Sequence, residues 1–295
     1  MPPLLQQHES GSLRLRAWTE LLPSNYIHRD YILDGVEHGF NIVEPDRIFG
    51  FVSMRNHWSA VCNECKKMVE KAICTELNNG RYVVARERPR IVSPLAAIRK
   101  GNGDIRLIHD CSRPHGQSLN DAAVSIKVKY ESLRDAEKFL EQGMYLCKVD
   151  LSTAYRSVKI HSSNYCATGL AWTFAGDKRP TVLIDTRLPF GASASCGIFN
   201  RLSQGVVAIM RAKGFLNVVS YLDDFLIGDI NRDRCILALN TLIALLRQLG
   251  FGICYSKVEG PSTRLVFLGI MIDTVAMTYG LPSDKMQHLQ AQIND

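Results

Sequence analysis

The residues best able to do chemistry are two adjacent carboxylates, Asp223 and Asp224, in the run Tyr221-Leu222-Asp223-Asp224. Apolar runs flank them, Asn217-Val218-Val219-Ser220 before and Phe225-Leu226-Ile227-Gly228 after. Val and Ile favour strands, so the acidic pair reads as a tight hairpin tip. Neighbouring carboxylates repel, by roughly 1 kcal/mol at about 4 Å in water and about 4 kcal/mol at an effective dielectric near 20. A fold keeps such a pair only where water solvates it or cations neutralise it. Taken alone, the tip is an ordinary solvated turn. A third acid alters that reading: Asp150 closes a second strand-like run, Tyr145-Leu146-Cys147-Lys148-Val149. Acids gathered at strand ends can hold divalent cations, which prefer hard oxygen ligands.

A cationic stretch lies upstream. Residues 86–115 contain Arg86, Arg88, Arg90, Arg99, Lys100, Arg106 and Arg113 against only Glu87, Asp104 and Asp110. Within it, Ala97 to Asp110 reads as strand, Gly101-Asn102-Gly103 turn and returning strand. Such a hairpin can lay cations along phosphates, Arg as a fork and Lys as a point charge. By itself it reads as a solvated charged loop.

Composition limits the setting. The chain has 295 residues, 46% of them hydrophobic, enough for one or two domains with a substantial core. A net charge of +6 and a pI of about 8.8 suit a polyanionic partner. The nine cysteines are scattered, which points to reduced thiols in an intracellular, cytoplasmic or nuclear protein. Cys62-x-x-Cys65, with His57 and Cys74 nearby, has half the spacing of a zinc site. Without a second pair it reads as ordinary buried thiols. The N-terminus lacks the pattern of a secretory leader, and no run reaches ~18 apolar residues, so no membrane segment is expected.

The elements that must position the acids follow from periodicity. Residues 1–30 read as a polar arm with an amphipathic patch at Leu13, Leu15, Trp18, Leu21 and Leu22. From Val61, the spacing of Cys65, Met68, Val69, Ala72, Ile73 and Leu77 predicts a helix stopped by Asn78-Asn79-Gly80. Ser132 and Asp135 match a capping box for a short helix through Phe139 and Leu140, with Gly143 as its stop. The strand ending at Asp150 turns through Leu151–Tyr155 into a second strand at 157–160. Strands follow at 167–174 and 181–184. The small-residue loop Leu188-Pro189-Phe190-Gly191-Ala192-Ser193 then enters a helix with Phe199, Leu202, Val206, Ile209 and Met210 inward. A helix over 232–249 buries Ile236, Leu239, Leu242, Ile243 and Leu246 and stops at Gly250. One strand is expected over 264–273, a short return at 276–279, and a helix from Ser283. This order implies an α+β layer, helices on one face of an antiparallel sheet. In it, Asp150 and the acidic tip fall on neighbouring strands.

One ordered series joins these pieces: Arg106 with Asp110, Val149-Asp150-Leu151-Ser152-Thr153-Ala154-Tyr155, Leu188-Pro189-Phe190-Gly191, Tyr221-Leu222-Asp223-Asp224, Lys257, and Phe267-Leu268-Gly269. Over roughly residues 81–280 it resembles the reverse transcriptases, most nearly retrotransposon enzymes of the gypsy and DIRS kind. Asp34-Gly35-Val36-Glu37-His38-Gly39-Phe40 and Asn78-Asn79-Gly80-Arg81 lean toward the DIRS-like group. The resemblance implies a right-hand polymerase. Residues 1–80 would be an N-terminal extension, 81–125 and 158–194 fingers, 126–157 and 195–275 palm, and 276–295 the start of a truncated thumb.

The implied activity is RNA-directed DNA polymerisation, with dNTPs added to a primer on an RNA or DNA template. Two Mg²⁺ ions, replaceable by Mn²⁺, would be held by Asp150, the Leu151 main-chain oxygen, Asp223 as the bridge and Asp224 in an outer role. Lys100 and Arg106 would clamp the β- and γ-phosphates, with Asp110 beside them and the backbone of Ser152, Thr153, Ala154 and Tyr155 adding donors. The Tyr155 ring would collide with a ribose 2′-hydroxyl. Phe190 and Gly191 would pack on nucleotide and template, Lys257 would give a proton to pyrophosphate, and Phe267, Leu268 and Gly269 would grip the primer. One departure stands out: the second finger Arg of such enzymes falls on Ser112, with Arg113 one place later. The sequence carries no recognisable ribonuclease H, protease, integrase or recombinase segment, so those modules are expected to be encoded elsewhere. The alternatives are an RNA-dependent RNA polymerase, which usually has Asp at the Tyr155 position, and a non-catalytic nucleic-acid-binding descendant.

Overall fold

The computed structural model describes residues 12–101 and 103–294. The first part of the N-terminal arm and the centre of the Gly101-Asn102-Gly103 turn lie outside the described residues. Two compact units emerge, one from residues 12–29, 129–154 and 200–294, the other from 30–128 and 155–199.

The first unit is built on an antiparallel sheet. Its central strand, Tyr145–Ser152, pairs with Asp224–Asp229, which pairs in turn with Val218–Tyr221. Gly252–Ile253 and Glu259–Ser262 pair along the other edge of the central strand. Gly252 and Ile253 extend the ladder past Asp150, so the strand runs to Ser152 rather than closing at Asp150. The two-residue period puts Leu146, Lys148 and Asp150 on one face and Cys147, Val149 and Leu151 on the other. Helix Arg232–Leu249 covers the second face. Asn231 caps its start, its side chain accepting from the Arg234 N–H at 3.0 Å, and Gly250 ends it in the left-handed region. Its inward residues are Cys235, Ala238, Leu239, Leu242, Leu245, Leu246 and Leu249, while Ile236 and Ile243 are only half-buried. The small Cys235 and Ala238 let the helix approach closely, and Cys235 Sγ lies 3.4 Å from Cys147 Sγ on the strand.

On the opposite face Leu146, Val219 and Leu226 pack with Ala136, Met144, Leu265, Phe267 and Ile272. The capping box at Ser132 forms as expected, but helix Leu133–Glu137 ends before Phe139. The strand expected over 264–273 is a hairpin, Arg264–Phe267 against Ile270–Asp273. Leu268 and Gly269 make its two-residue turn with φ of 49° and 78°. Positive φ at both positions suits the twist of the flanking strands. Thr278–Gly280 adds a third strand, and helix Ser283–Asn294 follows. Near the N-terminus, helix Leu15–Leu21 buries Trp18 fully, edge-on to Phe251 with centroids 6.1 Å apart.

The second unit holds a five-stranded mixed sheet in the order Val52–Ser53, Ile91–Val92, Gly169–Trp172, Thr181–Asp185, Tyr82–Val84. Helix Asn63–Asn78 contributes Val69 and Ile73 to a core with Tyr82, Leu95, Leu170, Trp172 and Leu183. The basic hairpin stands apart as Leu95–Arg99 against Ile105–His109. The strand expected at 157–160 is absent among the described residues. A 3-10 turn, Ala154–Ser157, extends into its first residue, Val158 follows in a bend, and Lys159 and Ile160 make only single bridges, to Arg187 and Phe40. Arg156 is buried here and held by remote partners, its guanidinium on Asp185, Glu76 and the Leu188 carbonyl, rather than by a ladder of strand hydrogen bonds.

Candidate active site

The acidic tip is a two-residue hairpin loop. Tyr221 pairs with Asp224, so the turn residues are Leu222 and Asp223, one place earlier than the sequence indicates, and Asp224 opens the returning strand. Leu222 takes φ 53°, a left-handed conformation that costs a leucine on the order of 1 kcal/mol. Its carbonyl accepts from Ser203 Oγ at 2.6 Å. The neighbouring strand is the sheet edge, and side chains satisfy its open backbone. The Ser220 N–H donates to Glu131 at 2.8 Å, Gln204 donates to both Glu131 and Ser220 Oγ, and Arg211 donates to the Val218 carbonyl at 2.9 Å. Sequence reasoning missed Glu131, Ser203 and Gln204. The available signal was two polar residues, Ser203 and Gln204, between Leu202 and Val206 on an otherwise apolar helix face.

Asp224 lies directly across from Asp150 in the strand register. The Leu151 N–H donates to the Asp223 carbonyl at 3.0 Å, so the main chains of all three acids adjoin. Lys257 Nζ donates to Asp150 Oδ2 at 2.9 Å, and this bond holds the lysine above its ordinary pKa. Burial, then the charges of Asp223 and Asp150, push the Asp224 carboxyl up to about 6. Ser152 remains in the sheet opposite Gly252, Thr153 takes φ 50°, and Ala154 opens the 3-10 turn. Phe267 is buried, while Leu268 and Gly269 form the hairpin turn described above, where the Gly269 carbonyl accepts from Lys285 at 3.3 Å.

The second unit carries the remaining candidates. Tyr155 stacks on Phe190, with centroids 5.1 Å apart and planes 27° from parallel, and its hydroxyl donates to Cys196 Sγ at 3.0 Å. The Arg106 guanidinium sits 5.7 Å from the centre of the Phe190 ring. Lys100 follows the first strand of the basic hairpin, its N–H donating to the Asp104 carbonyl at 2.7 Å. Asp110 is engaged by His57, Nε2 to Oδ2 at 2.9 Å, a partner invisible from local sequence. Gly191 takes φ 120°, and a Cβ there would lie 1.9 Å from the His109 carbonyl oxygen. Its own carbonyl accepts from Asn120, which also caps the Ser193 N–H. Cys65 is buried, and Cys62 Sγ donates to the Ser59 carbonyl at 3.8 Å.

The family profile described as "Reverse transcriptase (RNA-dependent DNA polymerase)" matches residues 98–272. The chain belongs to the reverse transcriptase family. No curated protein matches it significantly. Among solved structures, the foamy viral protease-reverse transcriptase in complex with double-stranded DNA is similar at 18% identity and a TM-score of 0.68, covering 98% of this chain and 60% of that one. The foamy viral enzyme with an RNA/DNA hybrid gives 17%, 0.65, 93% and 37%. The native prototype foamy virus enzyme gives 17%, 0.63, 100% and 41%. This reverse transcriptase chain therefore spans 60% or less of those proteins. The likeness shows the fold, α+β of the right-hand polymerase kind.

The acids of this chain suit a divalent metal in donor chemistry and in charge. All are hard oxygen ligands, and burial together with the charges of Asp223 and Asp150 raises the pKa of Asp224, a penalty on its negative charge that a cation would relieve. Among the described residues no three His, Cys, Asp or Glu side chains are already gathered round one point. Asp150 is turned instead to the Lys257 ammonium. No helix among the described residues is long and apolar enough to cross a membrane.

Proposed function

We propose that this chain is the polymerase region of a retroelement reverse transcriptase, an RNA-directed DNA polymerase that adds dNTPs to a primer 3′-hydroxyl. One observation carries the reading: Asp224 faces Asp150 on adjacent strands, with Asp223 in the turn between strands. Asp150, Asp223, Asp224 and the Leu151 carbonyl would hold Mg²⁺. Bound there, the metal would lower the pKa of the primer hydroxyl and stabilise the leaving pyrophosphate.

The chain's own residues do the rest. Lys100 and Arg106 bind phosphate oxygens through charge-assisted hydrogen bonds, supported by backbone N–H groups of Ser152 to Tyr155. Tyr155, steadied by Phe190 and Cys196, meets the sugar edge and excludes a 2′-hydroxyl. Lys257, the ammonium now on Asp150, supplies a proton toward pyrophosphate. Asp110 orients the basic hairpin, Phe190 and Gly191 line the nucleotide and template, and Phe267-Leu268-Gly269 holds the primer. In this reading the first unit is the palm with the start of a thumb and the second the fingers. The foamy viral neighbours bound to double-stranded DNA and to an RNA/DNA hybrid support a template–primer duplex as partner.

The test is Mg²⁺-dependent extension of a DNA primer on an RNA template. Asp223→Asn should abolish extension, and Tyr155→Ala should admit ribonucleotides. Extension that survives Asp223→Asn rejects the site. Preference for NTPs in the unaltered chain would favour the RNA polymerase reading instead.

A further inference from the structure

The residue after Tyr155 is among the most heavily bonded cations in the second unit. Arg156 is only 8% exposed. Its Nη1 and Nη2 fork onto the Asp185 carboxylate at 2.8 Å each, Nε donates to Glu76 at 2.8 Å, and Nη1 also reaches the Leu188 carbonyl at 3.2 Å. Its guanidinium carbon sits 5.4 Å from the centre of the Tyr82 ring. Glu76 is shared with Arg81, which grips it through two bonds at 2.9 Å. Burial works against the Arg156 charge, but Asp185, Tyr82 and Glu76 more than reverse it and hold the guanidinium above its ordinary pKa. Burial likewise works against Glu76, and Arg156 and Arg81 hold it below its ordinary value.

A buried ionic cluster is a poor stability device, because well-packed apolar residues often serve as well. Its use here is geometric. A guanidinium can fork in its plane onto one carboxylate while reaching a second acid and a carbonyl, and the three donors of an ammonium cannot reproduce that fork. Those anchors flank the stacked rings. Tyr155 precedes Arg156 directly, and Phe190 follows Leu188 by two residues. Phe190 is also held through its carbonyl, which accepts the His109 N–H at 2.9 Å.

We propose that Arg156 is a positioning residue that sets the offset of Tyr155 against Phe190, and thereby the discrimination between deoxyribose and ribose in the incoming nucleotide. The proposal rests on the reading of Tyr155 as the ring that senses the sugar. A ring edge that rejects one hydroxyl depends on placement, and a displacement of about 1 Å can change rates by about 100-fold.

Arg156→Lys keeps the charge and loses the fork. The measurement is kcat and KM for dATP and for ATP incorporation on a primed RNA template, alongside thermal melting of each preparation. Arg156→Lys should narrow the dATP-to-ATP ratio of kcat/KM about tenfold or more, with the change carried by KM. Arg81→Lys loosens the same cluster at Glu76 while leaving the Arg156 bonds to Asp185 and the Leu188 carbonyl in place, and should leave the ratio unchanged. If Arg156→Lys does not fold, Glu76→Gln weakens a single arm and should narrow the ratio about threefold. A ratio unchanged in both Arg156→Lys and Glu76→Gln, while Tyr155→Ala relaxes it, makes Arg156 structural only and overturns the proposal. A ratio unchanged in Tyr155→Ala overturns the reading of Tyr155 itself, and the proposal with it.

Discussion

Replacing Asp224 with Asn should stabilise the chain when divalent metal is absent. Burial and the charges of Asp223 and Asp150 push the Asp224 carboxyl up to about 6 from its ordinary 3.8. At about 1.36 kcal/mol per pH unit, ionising it at neutral pH costs the fold roughly 3 kcal/mol. The carboxylate is partly open to water, and screening removes half of that or more, leaving about 1 kcal/mol. Asn keeps the shape and discards the charge. In a chain of this length, 1 kcal/mol corresponds to a rise of about 2 °C in Tm. The pH dependence fixes the sign. Between about pH 4 and about pH 6 the folded chain retains a proton that the unfolded chain has released, so stability falls as pH rises through that window and stays reduced above it. The Asn variant lacks this fall. Calorimetric melting in EDTA should show the two proteins converging near pH 4 and separating above pH 6. Millimolar Mg²⁺ should raise the Tm of the unaltered chain more than that of the variant, because it neutralises the same repulsion. A variant that melts at or below the unaltered chain at pH 7.5 in EDTA, or a gap equally wide at pH 4, refutes the reasoning.

Three further outcomes follow from the geometry. Gly191→Ala puts a Cβ 1.9 Å from the His109 carbonyl oxygen at φ 120°, and should cost about 3 kcal/mol or more in urea unfolding, in the range kept for severe backbone conflict. Ser203→Ala removes the hydroxyl from the Leu222 carbonyl, and should lower stability by about 1 kcal/mol while reducing kcat of primer extension more than KM changes. Asp185→Ala leaves the buried Arg156 guanidinium without its main counter-charge, and should lower stability by roughly 3–5 kcal/mol in thermal melting.

Residues whose role is set within their own segment were readable from the chain. Helix Arg232–Leu249 follows from its apolar period and the Gly250 stop. The pairing of the Asp150 strand with the acidic hairpin follows from two apolar runs that each end in an acid. What escaped reading is held from outside its own segment. Leu222 and Leu268 both take the left-handed region that local preference gives to Gly or Asn. Each lies inside an apolar run, so the run reads as unbroken strand, or its turn is placed one residue late. Ser203 anchors the first turn, and Lys285 holds the carbonyl of Gly269 in the second. Nothing in its own segment marks Arg156 as buried, because its partners, Glu76 and Asp185, are remote in sequence, and their grip holds it in the 3-10 turn Ala154–Ser157. His57 on Asp110 is the same case. The backbone that carries Asp223 and the turn that carries Tyr155 are thus each fixed by a side chain from elsewhere in the fold. Substitutions at those remote anchors should therefore alter the proposed chemistry while every residue of the acidic motif stays unchanged.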